Sequence, residues 1–249
     1  MTTTIILGDG GLGRAVQAAL LARNTTAPAQ DQIRLLGRPR QGRHDPDELA
    51  GADLVVEASR ADAVVGNLAS ALEAGTRRAV IATTGWEADR PGVESILREY
   101  GAAAVAASNF SLGVVLFGRL VEAAVALFGP LEAFDPYLLE WHRRAKRDRP
   151  SGTAIDLRRR IVARHPRLAD PDDLEVVSVR AGSSPGMHLL GFDAAGETVE
   201  LRLTARDRSA YAAGILAAAD WLRRATREPG LHAFDPIVDE LVGRDPVAA

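Results

Sequence analysis

Residues 3 to 7, Thr-Thr-Ile-Ile-Leu, read as a short buried strand that runs straight into Gly8-Asp9-Gly10-Gly11-Leu12-Gly13, and residues 14 to 21 have helical composition. Strand, glycine turn and helix in that order leave few folds open. The spacing Gly-x-Gly-x-x-Gly lets the backbone turn tightly and come close to a pyrophosphate, which then rests on the N-terminus of the helix. Gly8, Gly10, Gly11, Leu12 and Gly13 are therefore candidate dinucleotide contacts. A glycine match alone would be weak; its place between a strand and a helix gives it weight.

A second strand, Ile-Arg-Leu-Leu at 33 to 36, is followed by Gly37-Arg38-Pro39-Arg40-Gln41-Gly42-Arg43. In dinucleotide folds an acid after this strand bonds the ribose 2′-hydroxyl of NAD, whereas an arginine meets the 2′-phosphate of NADP. No acid follows directly, and Arg38, Arg40 and Arg43 make a fork suited to a phosphate. The segment favours NADPH, with Arg38 first and Arg40 second, and leaves NADH open. The plain alternative is a solvated basic loop.

Residues 52 to 58 and 78 to 82 read as further strands, separated by a helix over 62 to 74 that ends at Gly75. A helix around 93 to 99 and a strand at 103 to 106 follow. Strands alternating with helices predict a parallel sheet covered on both faces, with ligands beyond the C-terminal strand ends. Ala58, Ser59, Arg60, Ala82, Thr83 and Thr84 fall there. An apolar helix over 115 to 128 reads as core and stops at Gly129-Pro130. Strands at 134 to 140, 174 to 181, 187 to 192 and 198 to 203, with few helices between, indicate a second α+β domain with a mixed or antiparallel sheet. A long helix over 212 to 226 closes the pattern. The expected fold is α/β: a Rossmann-like parallel-sheet dinucleotide-binding domain formed by 1–107 plus 215–249, and a substrate-binding and oligomerisation domain over 108–214.

The composition excludes more than it assigns. In 249 residues, 47% are hydrophobic and 25% charged, ordinary for a soluble globular protein. A formal charge of -3 gives no general attraction to nucleic acid or anionic membrane, so any anion site must be local. The absence of cysteine removes disulfides, thiolate nucleophiles and zinc clusters; no metal is expected, and a reducing cytoplasm fits. The first apolar run, Ile5-Ile6-Leu7, has no basic leader, and neither a signal peptide nor a membrane span is expected.

The stretch from Glu140 to Ala154, Glu-Trp-His-Arg-Arg-Ala-Lys-Arg-Asp-Arg-Pro-Ser-Gly-Thr-Ala, holds the single lysine of the chain against 29 arginines. A guanidinium stays charged at any working pH, whereas an ammonium can release its proton, so Lys146 is a candidate proton donor. His142 lies four residues before it and is suited to acid-base work near neutral pH. Pro150-Ser151-Gly152-Thr153 has the composition of a helix start, whose uncovered N–H groups and positive end would face an anion. The bland reading is a capped surface helix behind a basic loop. His44, His165 and His232 have no motif around them and are expected at the surface, and His188 is expected to anchor a turn.

Glu-x-His-x-x-x-Lys-x-Asp-x-Pro-Ser-Gly-Thr-Ala resembles the central motif of the dihydrodipicolinate reductases, nicotinamide-dependent enzymes of the diaminopimelate route to lysine. The resemblance implies that His142 and Lys146 handle protons and that Ser151, Gly152 and Thr153 hold a substrate carboxylate. It extends to Asn109-Phe110-Ser111-Leu112-Gly113-Val114, where Asn109 and Phe110 would contact the nicotinamide. It also reaches Arg180-Ala181-Gly182, Gly186-Met187-His188, and the segment 205–214, where Arg208 would lie near substrate. Three departures stand out: Arg143 replaces the second of two adjacent histidines, Arg149 stands where a small residue is common, and the glycine turn is one residue shorter. Arg143 could still pair with a carboxylate.

What the resemblance implies is an NADPH-preferring reductase of a small cyclic imine or enamine dicarboxylate, most simply 4-hydroxy-tetrahydrodipicolinate, in a homotetramer, with a dimer left open. Two rivals remain: an imine reductase or amine dehydrogenase on the same scaffold, and a non-catalytic dinucleotide-binding regulator.

Overall fold

The structure is a computed structural model and describes residues 2–26, 31–39 and 43–243. In chain order its first half runs β1 (Thr3–Leu7), α1 (Gly11–Asn24), β2 (Gln32–Leu36), α2 (Pro46–Leu49), β3 (Leu54–Glu57), α3 (Val64–Glu73), β4 (Arg78–Ile81), α4 (Arg90–Glu99) and β5 (Ala103–Ala106). The second half runs α5 (Leu112–Phe128), β6 (Asp135–His142), α6 (Gly152–Arg164), β7 (Val176–Arg180), β8 (Gly186–Ala194), β9 (Glu197–Ala205), α7 (Ser209–Arg224), β10 (Gly230–Ala233) and α8 (Phe234–Leu241). Two compact units result, Met1–Leu112 with Arg208–Ala249, and Gly113–Asp207.

In the first unit six strands form a parallel sheet in the order β10-β5-β4-β3-β1-β2. Its central strands are apolar on both faces; Leu54, Val55 and Val56 are all buried, as a sheet sandwiched between helices requires. Val64, Leu68, Leu72, Trp86, Val93 and Leu97 pack with Ile81 into one core, and Ile5, Leu7, Leu49 and Val55 form another. The chain moves outward from β1 to β2 and then returns to place β3 on the other side of β1. This reversal opens a crevice at the C-terminal ends of β1 and β3, the place where such sheets bind ligands.

The second unit is a four-stranded sheet in the order β7-β6-β8-β9. β6 runs parallel to β7 and antiparallel to β8, so the sheet is mixed. α5 and α6 cover one face, where Phe117, Val121, Val125, Leu157 and Ile161 meet Leu138, Leu190 and Phe192. Among the described residues, no helix is long and apolar enough to cross a membrane.

Two histidines contradict the surface expectation. His44 and His165 are each only 4% exposed. His44 has Nδ1 3.2 Å from Glu48 Oε2 and accepts on its carbonyl from the Ser70 hydroxyl at 2.6 Å. His165 ends α6, with its Nδ1 accepting from the Arg167 N–H at 3.2 Å. A histidine can bury its ring once one nitrogen is satisfied locally, which a lone His in a sequence does not disclose.

Candidate active site and nucleotide cradle

Strand register builds the site of the second unit. Glu140 of β6 lies opposite Ser178 of β7 and opposite His188 of β8, while His142 lies opposite Arg180. Side chains two residues apart share a face of a strand, so Ser178, Arg180, Glu140, His142 and His188 all point the same way. The His142 ring spreads over Gly186, where a Cβ would come within 2.9 Å of Cε1.

Glu140 is the centre of this row and is fully buried. Its Oε1 accepts from the Ser151 N–H at 3.0 Å, the Ser178 hydroxyl at 2.6 Å and Arg180 Nη2 at 2.8 Å. Its Oε2 stands 3.0 Å from His142 Nε2 and 3.7 Å from His188 Nε2. The closer contact is poorly aligned, which leaves Oε2 and His142 Nε2 without a well-formed hydrogen bond. Burial alone would raise the carboxyl, but the donors from Ser151, Ser178 and Arg180 outweigh it and hold the pKa at about 2. Burial pushes both imidazoles below the usual histidine range; His188, also facing His142, is held at about 4 despite Glu140. Both shifts favour the neutral ring beside the Glu140 carboxylate.

α6 begins beside this row. Ser151 caps it, accepting on its hydroxyl from the Ala154 N–H at 3.2 Å, and lies 3.2 Å from His188 Nε2. The first intrahelical bond runs from the Ile155 N–H to the Ser151 carbonyl. The N–H groups of Gly152 and Thr153 are therefore the uncapped ones at the positive end of a 13-residue helix, a ready place for a carboxylate. In the turn between β6 and α6, Lys146 Nζ is ion-paired with Asp148 Oδ2 at 2.8 Å, which holds the Asp148 carboxyl below its usual range. Arg143 is exposed at the start of that turn. Glu140, His142 and His188 also bring three possible metal ligands within 4.8 Å of one another, a grouping the sequence reading did not foresee. Oε1 of that carboxylate already serves Arg180, Ser178 and Ser151.

In the first unit the glycine turn is packed as a nucleotide cradle must be. A Cβ on Gly13 would lie 1.8 Å from the Gly8 carbonyl oxygen, and one on Gly8, whose φ is +108°, would lie 2.4 Å from the Ala58 carbonyl. Helix α1 thus presses on the turn, and the turn presses on the loop after β3. Gly10 caps α1 with no side-chain bond, leaving the first N–H groups of the helix, at Gly11, Leu12 and Gly13, free for a pyrophosphate. The Arg208 guanidinium lies against Gly11, with Nη1 2.3 Å from where a Cβ would be. Its positive charge stands at the start of α1. These features fit a dinucleotide.

The flanking loops are tied together by a residue the sequence reading passed over. Glu57, at the end of β3, accepts from the Ser59 hydroxyl, from Asn67 Nδ2 at 3.3 Å and from the Thr83 hydroxyl at 3.3 Å. Burial raises its carboxyl against these donors. Ala58, Ser59, Ala82 and Thr83 are thereby fixed at the crevice, with Thr84 exposed beyond them. Arg60 instead spends its guanidinium on Asp62, at 3.0 and 2.9 Å. Asn109 Oδ1 accepts from the Ser111 N–H at 2.8 Å, and the Phe110 ring is buried against Phe234. Arg38 is exposed after β2, and Arg40 lies outside the described residues.

Residues 113–237 match the family model described as dihydrodipicolinate reductase, C-terminus. A 4-hydroxy-tetrahydrodipicolinate reductase of Wolinella succinogenes is 32% identical over 202 residues, covering 75% of this chain and 76% of that protein. The enzyme of the same name from Methanoregula boonei is 31% identical over 196 residues, covering 75% of this chain and 74% of that protein. A dipicolinate-bound dihydrodipicolinate reductase from Paenisporosarcina sp. TG-14 superposes with a TM-score of 0.71 over 94% of this chain and 97% of that one, at 18% identity, which speaks to the fold alone. The aligned relatives and the matched C-terminal half together establish that this chain belongs to the dihydrodipicolinate reductase family of nicotinamide-dependent oxidoreductases.

Proposed function

We propose that the chain reduces 4-hydroxy-tetrahydrodipicolinate, the compound in the names of its relatives, within the diaminopimelate route to lysine. The observation that carries this reading is the conjunction of a lysine paired with Asp148, two buried histidines beside a carboxylate, and open N–H groups at the start of α6. A cyclic dicarboxylate needs an anchor for one carboxylate and a donor for one proton, and the second unit supplies both. Gly152 and Thr153 hold the carboxylate, helped by Ser151 and Arg143. Lys146 donates the proton, and His142 keeps the substrate oriented and relays the proton that reloads the lysine. The nicotinamide, held by the first unit, supplies the hydride. Arg38 and Arg40 meet a 2′-phosphate and favour NADPH. Arg208, which lies at Gly11, has the charge to pair with a substrate carboxylate.

The test is an assay of the purified protein with NADPH and 4-hydroxy-tetrahydrodipicolinate, following loss of NADPH absorbance. Rapid oxidation that depends on the dicarboxylate is expected. Arg143, in the position of the family's second histidine, favours one rival, an imine reductase of the same scaffold acting on another ring; oxidation with simple cyclic imines and none with the dicarboxylate would establish it. A regulator without chemistry would need no acid, and turnover of either substrate removes it. Assembly into a homo-oligomer, a tetramer or a dimer, is read by light scattering in solution, and residence in the cytoplasm by fractionation.

A further inference from the structure

β2 reaches Leu36 without an acidic residue, and the positions after it are Gly37, Arg38 and Pro39. Residue 37 is where a strand-terminal acid would reach the adenosine ribose of a bound dinucleotide. A carboxylate is present there all the same, delivered from the neighbouring loop. A Cβ on Gly37 would lie 3.5 Å from Asp9 Cγ, 3.5 Å from Oδ2 and 3.7 Å from Oδ1. Asp9 belongs to the glycine turn, and its carboxylate packs at van der Waals distance from where a Cβ at 37 would stand.

The turn holds it there. The Gly8 N–H donates to the Leu36 carbonyl at 2.8 Å, which fixes the turn to the end of β2. Arg14 Nε donates to the Asp9 carbonyl at 2.7 Å, which fixes the backbone that carries the carboxylate. Arg14 Nη2 is 3.9 Å from Oδ2, beyond hydrogen-bond range, and the Asp9 side chain is 59% exposed. Both oxygens remain open to a ligand hydroxyl. A Cβ at 37 would be in ordinary van der Waals contact with the carboxylate, so Gly37 places the Asp9 side chain beside the end of β2 with nothing projecting between them.

We propose that Asp9 is the ribose-recognising acid of this chain. It accepts a hydrogen bond from the adenosine 2′-hydroxyl of NADH and repels the 2′-phosphate of NADPH, so that the cofactor ratio is set by Asp9 against Arg38. The proposal rests on the reading of the first unit as a dinucleotide cradle and goes beyond it by naming the side chain that keeps NADH usable. A hydrogen bond to a charged acceptor and a like-charge contact with a phosphate each amount to roughly a tenfold change in affinity.

The experiment is isothermal titration of the full chain with NADH and NADPH, and with ADP and 2′,5′-ADP, which report the adenosine end alone. Wild type, Asp9→Ala, Asp9→Asn and Arg38→Gln are compared. Asp9→Ala should weaken NADH and ADP about tenfold and tighten NADPH and 2′,5′-ADP several-fold. Asp9→Asn, which loses the charge and keeps an acceptor, should tighten the phosphorylated ligands and cost the others less. Asp9→Ala binding all four ligands as wild type does, or weakening all four alike, overturns the proposal. Arg38→Gln that leaves 2′,5′-ADP unchanged overturns the counterweight assigned to Arg38. A wild type that binds none of the four removes the dinucleotide cradle itself, an outcome distinct from binding that is indifferent to Asp9.

Discussion

Arg180 Nη2 donates to Glu140 Oε1 at 2.8 Å with neither side chain more than 6% exposed. Their strands are adjacent and parallel, and Arg180 is paired in register with His142, so the guanidinium reaches back along the sheet to the carboxylate two residues earlier. Removing one partner of a buried pair leaves the other charge uncompensated. Glu140→Gln should therefore lower stability by about 3–5 kcal/mol. Adding Arg180→Met should recover part of that loss, because the orphaned guanidinium is then gone as well. Urea denaturation of the two single variants and the double variant closes the cycle; additive losses would mean the two groups are not coupled.

In the proposed function Lys146 and His142 have different roles. A positioned general acid accounts for about 10² to 10⁴ in rate. Lys146→Ala should lower kcat by that range and leave NADPH affinity, measured by titration, unchanged. His142→Asn keeps a polar side chain over Glu140 and should raise KM as well as lower kcat, since the ring also orients substrate. Near-normal kcat in Lys146→Ala would end the assignment of the lysine as donor.

Much of this molecule was legible locally. β1, the glycine turn and α1 follow one another with no intervening segment, and each is announced by its own residues: an apolar run, three spaced glycines, a helical composition. Lys146 and the helix start at Ser151 were legible for the same reason. The row around Glu140 was not. Its members sit on three strands, and only the register that brings Ser178 and His188 opposite Glu140 makes them one cluster. Glu140 was the first residue of a recognised motif, yet its function as the common acceptor is a property of sheet pairing. His188 was expected to anchor a turn for the same lack of register. β10 escaped because Gly-Leu-His-Ala has little intrinsic strand preference; it is a strand through pairing with β5.

Two glycines of the turn should respond differently to the same change. A Cβ on Gly13 meets the Gly8 carbonyl at 1.8 Å, and Gly13→Ala must push α1 off the turn, at a cost of about 1–3 kcal/mol. A Cβ on Gly10 meets nothing within 4 Å, and its φ of -71° suits any residue. Gly10→Ala should fold as wild type does but bind NADPH more weakly, because the added methyl stands where the pyrophosphate must approach. Thermal melting and titration separate the two. Unchanged affinity in Gly10→Ala would mean that the phosphates lie elsewhere.

Acid should destabilise the chain in two successive windows. His188 has a pKa of about 4 against an ordinary 6.5, chiefly because burial disfavours the charged ring. Between those values the unfolded chain binds a proton that the folded chain refuses, so stability is complete above about 6.5 and falls as the pH drops toward 4. The contribution of this one group is on the order of 3 kcal/mol. Glu140, at about 2 against 4.5, gives a second loss between those lower values, since its folded carboxylate resists the proton that the unfolded one accepts. His188→Gln removes the His188 share of the first window and leaves the smaller shares of His142 and His165, whose rings burial also pushes down. Urea midpoints recorded from about pH 7 to about pH 4 should therefore fall less steeply in His188→Gln than in wild type. Parallel curves would mean that the folded protein protonates His188 as readily as the unfolded chain does, and that burial does not hold this ring neutral.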